Sequence, residues 1–147
     1  MIVVYADITA PLYWWKEFDT YKVGTVANSC STMHKIHAKE FTLDDFSHEH
    51  LIGSASGCLS SLIDAMNCCR EAFLRTGDKK WWWQMIQLLP TSYNQKRTVM
   101  LNYEVLANIY KPGSRLHHKL DEWNVDCEGS FCQWIESLPC SELITGK

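Results

Sequence analysis

The chain has 147 residues, enough for one domain with a sizeable core; its apolar content of 46% and charged content of 21% exclude a disordered polymer. A net charge of −3 gives no electrostatic case for nucleic acid or an anionic membrane. No apolar run approaches the roughly 18 residues of a membrane span, and the N-terminus lacks the basic start and long apolar region of a signal peptide, so a cytoplasmic protein is expected.

In chain order, Ile2 to Tyr5 is β-branched and apolar, a short strand that Pro11 should end. Leu12 to Phe18 holds Tyr13, Trp14, Trp15 and Phe18, enough apolar surface to anchor this end on a core. From Thr25, Val26, Cys30, Met33 and His37 recur at helical spacing and predict a helix with an apolar stripe. Thr42, three residues before Asp45, resembles a capping box with Asp in place of Glu or Gln. The segment Gly53 to Gly57 reads as a flexible loop.

The next helix is the most strongly periodic. Leu59, Leu62, Ile63, Met66, Cys69, Phe73 and Leu74 share one face, and Gly77 stands where a C-terminal cap belongs. Asp78 caps a second helix that runs to Leu89 and stops at Pro90, which cannot continue the hydrogen-bond ladder. After a turn, Arg97 to Leu101 reads as extended. Asn102 is a good N-cap, with Glu104 in the first turn and Val105, Leu106, Ile109 and Tyr110 on the apolar side. Lys111 to Ser114 breaks this helix. A last helix is expected from His117, with Leu120, Trp123 and Val125 inward, interrupted near Asp126 to Gly129 and resumed by Phe131, Trp134, Ile135 and Leu138.

Side-chain chemistry adds less. Seven cysteines without a secretion signal read as reduced thiols rather than a disulfide framework. Six histidines, including His34, His37, His48 and His50, match no zinc spacing, so no metal is expected. Lys79 and Lys80 beside three tryptophans, and Lys96 and Arg97 after Tyr93, mix base and aromatic. In an acidic chain such pairs read as a solvated rim, and nucleic acid is not expected as a partner. Trp81, Trp82 and Trp83 cannot all face one core on a helix or a strand. At least one should be exposed or covered by a partner, which favours a self-association or ligand surface.

Taken together, the stretch Gln84 to Ile135 resembles the C-terminal half of the flavin-dependent thymidylate synthases. Leu89-Pro90 stands at that family's Leu-Pro, Asn102 at its first Asn, Leu106 and Asn108 at its Leu and second Asn, and His118 and Glu122 at the His and Glu of the next segment. Arg115 stands near its helix-ending Arg, and the preceding helix pair fits as well, so the resemblance spans residues 59–138. It implies an α+β fold, predominantly helical and forming a single domain with a small, short-stranded antiparallel sheet, like the thymidylate-synthase-complementing proteins. It also implies a homo-oligomer, FAD as cofactor, a deoxynucleotide ligand, and Asn102, Asn108, His118 and Arg115 as cofactor-binding positions. The family's reaction is reductive methylation of deoxyuridine monophosphate.

The family's Arg-His-Arg signature is absent, and two of its arginines are replaced by Ile86 and Glu104. An acid in place of a phosphate ligand repels a nucleotide. The expectation is therefore a diverged relative that binds a flavin or (deoxy)nucleotide at a subunit interface, with turnover left open. The alternative is a non-enzymatic interaction protein, such as a regulator or counter-defence factor of a phage or mobile element, acting through Trp-rich surfaces.

Overall fold

The computed structural model describes residues 1–21, 24–29 and 32–147. The chain is α+β and predominantly helical, with a small three-stranded antiparallel sheet of order β1-β3-β2. The strands are β1 (Val3–Pro11), β2 (Val26–Ser29) and β3 (Asn94–Asn102). The helices are α1 (Leu12–Phe18), α2 (Thr32–Lys35), α3 (Ser54–Thr76), α4 (Lys79–Leu88), α5 (Tyr103–Tyr110), α6 (Phe131–Glu136) and α7 (Glu142–Thr145), with a 3-10 turn at Leu43–Asp45. Among the described residues, no helix is long and apolar enough to cross a membrane.

The chain divides into two compact units. The first comprises Met1–Ile8, Lys16–Asn28 and Arg97–Lys147; the second comprises Thr9–Trp15 and Ser29–Lys96. Both long strands change unit part-way along, β1 after Ile8 and β3 before Arg97.

The first unit is centred on Phe18, Leu106, Ile109, Trp123, Cys132 and Ile135, all at 2% exposure or less. Phe18 stacks on Trp123, with centroids 6.5 Å apart, and Phe131 meets Trp123 edge-on at 5.3 Å. Four of α5's eight residues repeat at the spacing of one helix face and are buried: Val105, Leu106, Ile109 and Tyr110. Tyr103, at its first position, is buried too and donates to the Pro139 carbonyl.

The second unit packs Met66 and Met85, both fully buried, with Ile36, Phe41, Phe46 and Leu59. Asn67 of α3 holds the chain at Phe41 from both sides. Its Oδ1 accepts from the Phe41 amide at 2.9 Å, and its Nδ2 donates to the Phe41 carbonyl at 2.9 Å. α3 ends where expected, with Gly77 in the left-handed region at φ 68° and its amide bonded to the Phe73 carbonyl. Asp78 caps α4 by accepting from the Lys80 amide at 3.0 Å. The expected capping box is present, since the Thr42 amide and hydroxyl both donate to Asp45 Oδ2, at 2.9 and 3.3 Å.

Four expectations fail. Val26–Ser29 is a strand, and among the described residues the helix nearest the predicted one is the single turn α2. Cys30 lies outside the described residues, Val26 and Met33 are 54% and 45% exposed, and His37 is half-buried against Phe73, so the predicted stripe does not form one buried face and tertiary pairing decides the conformation. Gly53 to Gly57 is not a loop. Gly53 is the N-cap at φ 56°, and α3 starts at Ser54, because one internal glycine costs only about 1 kcal/mol against a helix of 23 residues.

Leu74, in the last turn of α3, is 56% exposed although it lies on the face predicted to be buried. From His117 to Gly129 the chain forms turns, not a helix, although Trp123 is fully buried there. Local side chains compete for the backbone: His118 Nδ1 accepts from the Leu120 amide at 3.1 Å, and Asn124 Oδ1 from the Asp126 amide at 3.1 Å.

Candidate functional site

Asn102 ends β3 and opens α5. Its Oδ1 accepts from the Val105 amide at 2.9 Å, which satisfies one of the orphan donors of the helix start. Only its Nδ2 remains for other work. It points at Gly24, where a Cβ would stand 2.7 Å from it and where φ is 79°. The glycine is therefore required twice, for its backbone conformation and for the close approach of this amide. Asn108, six positions on, is exposed and accepts from Lys111 Nζ at 3.1 Å.

Arg115 and His118 come together in the turns that follow α5. The His118 amide donates to the Arg115 carbonyl at 3.2 Å. Arg115 reaches back to Glu17 of α1, Nη2 to Oε2 at 2.8 Å. Its guanidinium lies over the rings of Tyr21 and Trp123, at 5.5 and 5.9 Å from their centroids, and its buried Nε has no hydrogen-bond partner. Tyr21 is fixed in turn by a 2.8 Å hydrogen bond between its hydroxyl and that of Ser114. Burial, and then the Arg115 cation, hold the His118 imidazole below its ordinary pKa, so this ring is neutral at pH 7. Its Nδ1 is engaged by Leu120 as acceptor, which leaves Nε2–H as the donor face.

Of the four expected positions, the structure thus brings together Arg115 and His118. Asn102 stands apart at the Gly24 contact, and among the described residues no hydrogen bond joins either asparagine to the Arg115–His118 pair. Glu17 and Tyr21 complete the cluster and were not foreseen, because they lie more than ninety residues away in sequence. Of the two positions where the resemblance would place an arginine, Ile86 packs against the second unit's core and Glu104 is exposed in the first turn of α5.

The second unit holds a cleft of about 330 Å³ that no sequence motif announced. Lys35, Lys39 and Lys96 line it with Asp44, Asp45 and Tyr93, above the buried side chains of Ile36 and Phe41. Its walls are rigidly supported. The Tyr93 amide donates to the Pro90 carbonyl at 3.1 Å and its carbonyl accepts from the Leu12 amide at 3.0 Å, while its ring meets Phe46 edge-on at 5.6 Å. The indole of Trp15 donates to the Gln95 carbonyl at 2.9 Å. Burial, and then the Asp45 charge, push the Tyr93 phenol above its usual pKa, so it stays a neutral donor. Lys39 pairs with Asp45, and that hydrogen bond raises its pKa.

No protein-family model, no curated protein and no solved structure matches the chain.

Proposed function

We propose that the chain is a diverged relative of the flavin-dependent thymidylate synthases that binds a flavin or a deoxynucleotide without turnover, as a cytoplasmic homo-oligomer. The observation that carries this reading is the order of elements after Ser54. A helix closed by a left-handed glycine, an Asp-capped helix ending at Leu89-Pro90, a strand, and a helix capped by Asn102 follow in the sequence the resemblance requires. A guanidinium lying over two aromatic rings, next to a neutral imidazole with a free donor face, suits the polar edge of a flavin such as FAD. The Glu17 carboxylate already balances Arg115, which weakens its hold on a phosphate and argues for binding over catalysis. A reducing cytoplasm suits the six described cysteines, which are free thiols.

The visible spectrum of the purified protein tests this. Flavin bands, or saturable calorimetric binding of FAD or deoxyuridine monophosphate that weakens at least tenfold in Arg115→Ala, are expected. A colourless protein that binds neither compound sinks the proposal.

Exposed apolar residues favour a second reading, a protein-interaction role. Leu74 on α3 is 56% exposed, and Trp83 and Leu88 on α4 are 46% and 38% exposed. Light scattering of wild type and of Trp83→Ser decides it. A concentration-dependent mass that falls in the variant supports an interface there, and a monomer in both removes it.

A further inference from the structure

We propose that the cleft of the second unit is a binding site for a sugar monophosphate, distinct from the Arg115 cluster and independent of any flavin. At about 330 Å³ the cleft lies at the small end of the range for ligand pockets, enough for a pentose or hexose phosphate and too little for a dinucleotide.

Charge comes next. Three ammonium groups, on Lys35, Lys39 and Lys96, face two carboxylates, on Asp44 and Asp45, so the lining carries a net positive charge in a chain that is negative overall. The pairing of Lys39 leaves it usable. Asp45 is only 11% exposed and keeps two further donors, the Thr42 amide and hydroxyl, whereas the Lys39 side chain is 72% exposed. Lys39 can therefore turn to a phosphate oxygen without stranding a buried carboxylate.

The remaining lining selects what the phosphate is attached to. Asp44, an exposed carboxylate beside the lysines, accepts hydrogen bonds from vicinal hydroxyl groups, and Thr9 and Asn94 add donors and acceptors at the far wall. Lys35 closes the α2 side and Lys96 the β3 side, so the phosphate sits between two elements rather than on one. Tyr93 keeps its proton, and its hydroxyl is a donor carried on a ring packed edge-on against Phe46. Such a mixture of cations, a carboxylate and amides over an apolar floor suits a compact polyhydroxylated anion. It suits a purine or pyrimidine less well.

Calorimetry on the full chain with ribose 5-phosphate, glucose 6-phosphate, inorganic phosphate, glucose and uridine monophosphate tests the assignment. Saturable binding of a sugar phosphate is expected, weakening with added salt. Inorganic phosphate and glucose should each bind at least tenfold more weakly. Lys35→Glu with Lys39→Glu, both at exposed positions, should reduce affinity at least a hundredfold, and Tyr93→Phe about tenfold, with unchanged circular dichroism. The assignment is overturned by the absence of saturable sugar phosphate binding to wild type, or by undiminished binding in the double variant. It is equally overturned if uridine monophosphate binds tighter than ribose 5-phosphate, since a base is then being read. Loss of the sugar phosphate in Arg115→Gln with retention in the lysine variants would place the ligand on the first unit and overturn it as well. The flavin spectrum is read separately, so either result stands without the other.

Discussion

Asn102 shows how one side chain serves structure before function. Its oxygen is committed to the start of α5, and its nitrogen fills the space that Gly24 leaves open. Asn102→Ala should cost about 1 kcal/mol through loss of the cap, a fall of about 2–4 °C in melting temperature for a chain of this size. Asn102→Asp, which keeps the oxygen, should recover most of it. Gly24→Ala should cost more, because it adds left-handed strain to a contact with the Asn102 amide, and calorimetric melting compares the three.

His118 supplies a pH signature. Its folded-state pKa lies below the ordinary 6.5, so the unfolded chain binds the proton more readily. The stability it contributes is complete above pH 6.5 and is lost as the pH falls from there through the depressed value. His118→Gln should flatten urea-unfolding stability against pH in that window. Of these roles only the cap was legible in the sequence, because a helix cap acts on amides two or three residues away. The Glu17–Arg115 pair spans 98 positions, and no local pattern encodes it.

At the level of elements, the sequence was informative where propensity and burial agree. α3, α4 and α5 carry their stops and caps in the chain itself: Gly77, Asp78, Pro90 and Asn102. Gly77→Ala should destabilise by about 1 kcal/mol from its left-handed conformation alone, since no atom lies within 4 Å of the added carbon. Where the two signals part, the sequence misleads. The segment after Thr25 has helical spacing, but its Val26 and Met33 stay exposed. The segment after His117 has its core residue, Trp123, yet its polar neighbours bind the backbone out of the helix.

The cysteines differ by element in the same way. Burial pushes the Cys132 thiol of α6 up to about 12, whereas Cys58 and Cys68 of α3 and Cys140 are exposed. Mass spectrometry after alkylation at pH 8 should find Cys58, Cys68 and Cys140 modified and Cys132 intact until denaturant is added.

For the whole molecule, the fold class is the one the resemblance implied, whereas no feature of the sequence pointed to the cleft. Its lining comes from the end of β1, from α2 and the segment up to the 3-10 turn, and from the start of β3. Tyr93 and Lys96 stand close together in the sequence and Lys35 close to none of them, so the basic surface is made by folding. The net charge of −3 still governs long-range encounters. Gel-shift titration should find no binding to single- or double-stranded DNA at physiological salt, and the local cations of the cleft should not reverse this.

Asn67 has a consequence for association. By offering one acceptor and one donor to Phe41, its side chain imitates the edge of a neighbouring strand. The backbone at Phe41 is thereby closed to any other extended segment, from this chain or another. Substitution by Asp withdraws the donor, and substitution by Leu withdraws both groups. Either change leaves a backbone group of Phe41 without its partner next to a buried phenyl ring, so position 67 keeps this short stretch of backbone satisfied where no strand does.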